Sequence, residues 1–147
     1  MTSTKFLISI FLLLTLSSCT KNENKPSLEI LQSLQFVKES GGQIERKNEM
    51  VFKPDSTYGW FMYIRTNKEN VEIQDVIHLP EKGIWPEKTD LIISDNKKNA
   101  MSKRIVSTSK GIIQGGWAIT EGDPKGTYVE DVYVDNKHIK TFFYQIK

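Results

Sequence analysis

Two histidines, His78 and His138, are the imidazole side chains of this sequence that could bind a metal. A site would need both of them together with carboxylates such as Asp75 or Glu81, because a zinc ion is bound by several nitrogen, sulfur or oxygen ligands. These residues do not follow a ligand-spacing motif, and no cysteine stands near them. We therefore expect both histidines to be solvated strand residues, and we expect no metal and no other cofactor.

A set of carboxylates in the C-terminal third raises the question of calcium. The set comprises Glu121, Asp123, Asp131 and Asp135. An EF-hand loop needs oxygen ligands at alternate positions of a 12-residue loop and a glutamate at its end. Because the spacing here differs, we predict a solvated acidic edge rather than a calcium site.

The segment GDPKG, which ends at Gly126, invites comparison with a phosphate-binding loop. Such a loop places Gly-Lys-Ser/Thr between a strand and a helix, but here Thr127 and Tyr128 follow the glycine and a strand pattern begins. Asp123 to Gly126 instead have the residue types of a type I turn. The chain also lacks a Gly-x-Ser-x-Gly elbow, so its motifs favour a protein that is not an enzyme.

The sole cysteine, Cys19, stands after an apolar run of 11 residues, Phe6 to Leu16, that Lys5 precedes. A helix of that length spans about 16 Å, roughly half of a bilayer core, which is typical of a cleaved secretory signal. The run Leu16-Ser17-Ser18-Cys19 resembles the lipobox of bacterial lipoproteins. The resemblance implies cleavage between Ser18 and Cys19 and a lipid on the Cys19 sulfur. The alternative is an ordinary secretory signal followed by a stray cysteine.

Three segments follow from this reading: a signal peptide over 1–18, a lipidated cysteine and flexible tether over 19–27, and one domain over 28–147. The tether has no aliphatic or aromatic residue after Cys19, so it cannot bury apolar surface. The formal net charge is +2, with Lys and Glu interspersed, and this excludes a basic stripe for nucleic acid. With Cys19 lipidated, no thiol remains for a disulfide.

The elements that position these side chains read as strands, because apolar and polar residues alternate in short segments separated by Gly, Pro, Asn and Asp. The predicted strands are Leu28–Phe36, Tyr58–Thr66, Val71–Leu79, Arg104–Ser109, Gly111–Thr120, Thr127–Asp135 and His138–Lys147. The first of them also fits a helix. The second has apolar residues on both faces, which predicts a central strand covered on both sides. Asp75 interrupts the third and predicts a bulge, and Asn136-Lys137 predicts a hairpin turn.

The strands starting at Tyr58, Gly111 and His138 carry a Gly-Trp pair, a Trp-x-Ile pattern and a closing aromatic-x-aromatic-x-aliphatic segment. Between them stand a Leu-Pro pair followed by a Trp, and an Asp-Pro-x-Gly-x-Tyr run. From about Val51 onward the chain resembles an immunoglobulin-like domain of uncharacterised bacterial envelope proteins. The resemblance implies an all-β fold, an antiparallel immunoglobulin-like sandwich, and no activity. Glu130 departs from it, since an aliphatic residue is preferred there. We expect Glu130 at the rim of the sheet; burial beside a specific partner is the alternative.

Among the aromatic residues, Trp60 and Trp117 fit the core, whereas Trp85 stands in a loop bracketed by prolines. Trp85 either covers the end of the sandwich or contacts a partner, with Phe61 and Tyr63 as further contact residues. A partner would be an envelope protein or a glycan.

The sequence thus predicts a membrane-anchored, non-enzymatic binding or assembly accessory of the cell envelope. Thr20 replaces the aspartate that retains lipoproteins at the inner membrane of enteric bacteria. This favours the outer membrane facing the periplasm, with surface exposure as a variant. The alternative function is an immunity or inhibitor lipoprotein that neutralises a toxin or hydrolase.

Overall fold

A computed structural model of the protein describes residues 27–87 and 89–147. The predicted signal peptide, its cleavage site at Ser18 and Cys19, and the tether up to residue 26 lie outside the described residues. Across the described ranges, the chain contains no helix with the length and apolarity that a membrane crossing requires.

Ten strands build the domain, and their bounds follow the alternation of apolar and polar residues. They are β1 (Leu28–Lys38), β2 (Ile44–Glu45), β3 (Glu49–Met50), β4 (Thr57–Thr66), β5 (Asn70–His78), β6 (Ile92–Ile93), β7 (Asn99–Ser107), β8 (Ile112–Ala118), β9 (Gly126–Val134) and β10 (Lys137–Ile146). All seven predicted strands are present, and the ambiguous segment at Leu28 is a strand.

The strands form two sheets that enclose one core. The first sheet has the order β2-β1-β4-β8, and the second has the order β3-β10-β9-β5-β7-β6. Neighbouring strands are antiparallel except for β10 and the short β3, which are parallel. The predicted all-β, antiparallel sandwich is confirmed.

Strand β4 shows how the sequence pattern produces the core. Tyr58, Trp60, Met62 and Ile64 alternate along it, and all four are buried between the sheets. On the opposite face Tyr63 is 38% exposed. The strand lies between β1 and β8 and is therefore central in its sheet, as predicted. The expected cover on both sides is wrong, because the outward-pointing Tyr63 is exposed.

The predicted bulge at Asp75 is also wrong. β5 pairs with β7 in continuous register from Asn70 to His78. Asp75 therefore keeps the phase of Ile73 and Ile77, and its side chain points into the core at 1% exposure. The residue breaks the chemical pattern of the strand and not its geometry.

Two turns differ from the predicted ones. The β9–β10 hairpin turns at Asp135-Asn136, one residue before the predicted pair, because both residues have positive φ, 49° and 63°, as a type I′ turn requires. In the GDPKG segment the turn lies earlier, where the Asp123 N–H donates to Thr120 O at 3.1 Å. The Asp123 carboxylate accepts the Thr120 N–H at 2.8 Å, which reinforces that earlier turn.

Candidate functional site

A network of polar side chains crosses the core and joins the two sheets. The Trp60 Nε1–H on β4 donates to Asp75 Oδ1 on β5 and to Glu130 Oε1 on β9, at 3.1 Å in both cases. The Trp117 Nε1–H on β8 donates to the same Glu130 oxygen at 3.0 Å. Two indoles of the first sheet thus hold two carboxyl groups of the second.

Arg104 on β7 neutralises Asp75. Its guanidinium makes an ion pair with Asp75 Oδ2, and its other nitrogen donates to Gln114 O on β8 at 2.9 Å. Burial raises the pKa of the Asp75 carboxyl above its ordinary value, and the Arg104 charge opposes that rise. Arg104 therefore compensates a buried charge and links the second sheet to the edge strand of the first.

The expectation that Glu130 lies at the rim of the sheet is wrong. Its side chain is 0% exposed and lies in the core. Burial, and then the negative charge of Asp75, raise the pKa of the Glu130 carboxyl to about 8. The carboxyl is consequently protonated at neutral pH. Among the described residues, its Oε2 and the buried hydroxyl of Tyr144 have no hydrogen-bond partner.

Acid–base catalysts often have two carboxyl groups whose pKa values differ, so we compared Asp75 and Glu130 with such a catalytic pair. Catalysis needs contact with a substrate, and these side chains are enclosed by the core. Their partners are indole N–H groups and an arginine whose geometry the two sheets hold. The network therefore specifies how the sheets pack.

One of the concave sites that solvent reaches is a cavity at one end of the sandwich. Its volume is about 170 Å³. It is lined by Tyr58, Leu79, Ile84, Trp85, Pro86, Leu91, Trp117, Ala118, Thr120, Asp123 and Tyr128. Tyr58, Leu79 and Tyr128 are buried, whereas Ile84 is 56% exposed, so the cavity runs from the core to the surface.

Trp85 forms one wall of this cavity and packs against the core, as the covering interpretation expects. Its Nε1–H donates to Lys97 O at 2.9 Å, and its ring meets the Trp117 ring edge-on at 6.3 Å. Gly83 allows this loop to lie directly on Leu79, because a Cβ at that glycine would stand 2.3 Å from the Leu79 Cδ1. Contact between Trp85 and a partner stays a prediction.

Phe61 and Tyr63 do not join Trp85. They lie on the outer face of the first sheet, where the Phe61 ring stacks on Phe36 at 4.6 Å. Trp85 instead packs on Trp117, whose side chain points inward. The structure therefore separates the predicted contact residues into two surfaces, and contact between Phe61 or Tyr63 and a partner stays a prediction.

The two histidines meet on the outer face of the second sheet. His78 Nε2 lies 3.1 Å from Asp131 Oδ2, and His138 Nε2 lies 3.3 Å from Asp131 Oδ1. Burial alone would raise the pKa of Asp131, but hydrogen bonds from Thr141, His78 and His138 outweigh it and lower the pKa. No group of three or more His, Cys, Asp or Glu side chains in residues 27–87 and 89–147 could hold a metal ion.

The four carboxylates predicted as one acidic edge are dispersed, which corrects that expectation. Asp131 is on the sheet face, Asp135 is in the hairpin turn beside Lys68, and Asp123 lines the cavity. The sequence did not predict that Asp123 lines a cavity, because its position in a turn motif already accounted for an aspartate there. The signal that could have found it is its proximity to Trp117 at the end of β8.

The comparisons with known proteins agree with this architecture. The family model described as PM0630 beta sandwich domain matches residues 33–147. Among solved structures, an immunoglobulin-like protein from Pseudomonas aeruginosa is similar, with a TM-score of 0.55 and 12% identity over 82% of this chain and 97% of that chain. At that identity the likeness concerns the fold alone, and it confirms the predicted immunoglobulin-like sandwich. No curated protein matches the chain.

Proposed function

The chain belongs to the PM0630 beta sandwich domain family, and from that premise we propose that it is a lipid-anchored envelope protein whose sandwich is a non-enzymatic binding module. The lipid is attached to Cys19 after cleavage behind Ser18, and the tether holds the domain away from the membrane. The outer membrane, with the domain in the periplasm, is the proposed location. Support for the anchor comes from the lipobox-like run that ends at Cys19.

The observation that carries the binding role is the cavity beneath Trp85. It has aromatic and aliphatic walls, opens to solvent beside Ile84, and is closed at its inner end by buried Tyr58 and Tyr128. Ligand sites are concave and mainly apolar, with a few placed polar groups. A glycan needs many hydrogen-bonding groups, so the apolar lining favours a protein partner.

The same geometry argues against an enzyme. The carboxyl groups with raised pKa values, Asp75 and Glu130, are buried away from the cavity opening. Trp117 separates them from the cavity, because its ring lines the cavity while its Nε1–H donates to Glu130. A ligand in the cavity would touch the Trp117 indole and not the carboxyl groups of Asp75 and Glu130.

The anchor is tested by palmitate labelling and membrane fractionation of the wild type and Cys19→Ala. We expect label and detergent-dependent extraction for the wild type, and neither for the variant. More than one acyl chain gives stable attachment, whereas a single chain binds only marginally. A wild type that takes up no label and is released by salt would refute the lipid anchor.

The binding role is tested with a photo-crosslinking amino acid at Ile84, beside the cavity, and at Ile105 as a control. Ile105 is 75% exposed and lies on β7, away from the cavity. We expect a discrete adduct from position 84 and none from position 105. Equal adducts from both positions would contradict the proposal. A captured toxin or hydrolase that loses activity would establish the inhibitor alternative.

A further inference from the structure

The size of the cavity limits what can enter it. A cavity of about 150 Å³ lined by aliphatic and aromatic side chains accepts benzene. The cavity beneath Trp85 measures about 170 Å³. It therefore suits one phenyl ring or one large aliphatic side chain, and it is too small for a lipid chain or a sugar chain.

The chemistry of the opening is set by Asp123. Asp123 is the one residue with a formal charge at neutral pH among the eleven lining residues. Its Oδ2 is held by the Thr120 N–H at 2.8 Å, and Gly122 before it has φ +87°, so the turn fixes the carboxylate. No Lys, Arg or His nitrogen of the described chain lies within 4.0 Å of it.

The Asp123 charge acts on the cavity walls. Burial raises the pKa of the Tyr128 hydroxyl, and the negative charge of Asp123 raises it further. The Tyr128 hydroxyl already donates to Pro124 O at 2.6 Å, so it has no proton to offer Asp123. Lys125, the nearest cation in sequence, has its Nζ 6.0 Å from the Phe52 ring centroid.

We infer that the cavity binds one large apolar side chain, aromatic or leucine-like, from a protein segment in which a lysine or arginine stands next to it. The apolar side chain fills the space between Trp85 and Trp117. The neighbouring cation pairs with Asp123 at the opening. This inference rests on the proposed function and names the chemistry of its partner.

Three pentapeptides with blocked termini test the inference: Gly-Lys-Phe-Lys-Gly, Gly-Glu-Phe-Glu-Gly and Gly-Lys-Ala-Lys-Gly. Each is titrated into the full-length protein in detergent, and the indole N–H resonances of Trp85 and Trp117 are followed by NMR. The resonances are assigned with Trp85→Phe and Trp117→Phe.

We expect saturable shifts of both indoles with the Lys-Phe-Lys peptide and about three- to tenfold weaker binding of the Glu-Phe-Glu peptide, because the charge on Asp123 attracts one and repels the other. The Lys-Ala-Lys peptide should give no saturable shift. Asp123→Asn keeps an oxygen for the Thr120 N–H and should remove the difference between the first two peptides. Glu121→Gln, a neighbouring carboxylate outside the cavity lining, should preserve it.

Equal affinity of the Lys-Phe-Lys and Glu-Phe-Glu peptides in the wild type would overturn the inference. Two further titrations could also overturn it, one with a peptide that has a free N-terminal phenylalanine and one with an oligosaccharide of N-acetylglucosamine. If only one of these ligands shifts the indole resonances, the inference is wrong. A crosslink at position 84 with no peptide binding would refute this chemistry and leave the binding role intact. Loss of the crosslink itself would refute the binding role.

Discussion

Replacing Glu130 with glutamine should make the stability of the domain much less dependent on pH. In the wild type, burial and the Asp75 charge raise the pKa of the Glu130 carboxyl from 4.5 to about 8. The native carboxyl therefore keeps its proton up to about pH 8, whereas the unfolded carboxyl loses it near pH 4.5. Between these values the native state binds more protons, so the free energy of unfolding falls as pH rises.

The size of the effect follows from the pKa difference. One pKa unit corresponds to about 1.4 kcal/mol, so the wild type loses about 2.5 kcal/mol between pH 5.5 and pH 7.5, and between 4 and 5 kcal/mol over the whole range. Glutamine has no such titration. Its oxygen can accept from Trp60 and Trp117 as Glu130 Oε1 does, and its amide group is uncharged and close in size to the protonated carboxyl group.

The assay is urea unfolding of the wild type and Glu130→Gln at half-unit steps from pH 5 to pH 9. The quantity of interest is the difference in unfolding free energy between the two proteins at each pH. The difference removes titrations that both proteins share, such as that of Asp131. We expect Glu130→Gln to gain stability relative to the wild type by about 2.5 kcal/mol from pH 5.5 to pH 7.5. The exposed Glu121→Gln serves as a matched control.

A difference that stays constant within about 0.5 kcal/mol across that range would refute the reasoning, because one pKa unit is already about 1.4 kcal/mol. Such a result would mean that Glu130 is ionised in the native state at neutral pH, and that its neighbours compensate the buried charge.

Three further substitutions test the packing of the sandwich by denaturant unfolding. Gly59→Ala should cost at least about 2 kcal/mol, because the added Cβ would lie 2.2 Å from a carbonyl oxygen and 2.9 Å from the Phe36 ring; a neutral result would mean that β4 and β8 can separate. Arg104→Met should cost about 3–5 kcal/mol by leaving Asp75 buried and unpaired, and Arg104→Lys should restore part of it; a loss below about 1 kcal/mol would contradict that pairing. Asn136→Val should cost about 1–2 kcal/mol at φ 63°, whereas Asn136→Gly should be near neutral; equal losses for both would exclude the backbone as the cause.

Local patterns determined the strands. In β4 and β9 the apolar residues recur with period two, and this period identifies which side chains face inward regardless of which strand is the neighbour. The hairpin between β9 and β10 was also local, although its turn pair was misplaced by one residue. The choice between Asn136-Lys137 and Asp135-Asn136 depends on register, and register is decided by pairing of both strands along their length.

Only the tertiary structure decided the partners of the inward polar residues. Trp60 is 15 positions from Asp75 and 70 positions from Glu130, yet one indole N–H binds both carboxyl groups. The period-two pattern places Glu130 on the inner face but contains no information on the opposite sheet. Because burying an unpaired charge is costly, the sequence predicted the rim of the sheet instead.

The candidate site follows the same division. The sequence singled out Trp85 as a loop residue that covers the sandwich or contacts a partner, whereas it assigned Trp117 to the core; the family resemblance already implied the sandwich. The cavity exists because the loop after β5 and the turn after β8 pack at the same end of the two sheets, which brings Asp123 beside both indoles. Alternation along a strand determines the face of a side chain, whereas the distance between two loops depends on sheet order and register, and these emerge only when the whole chain packs.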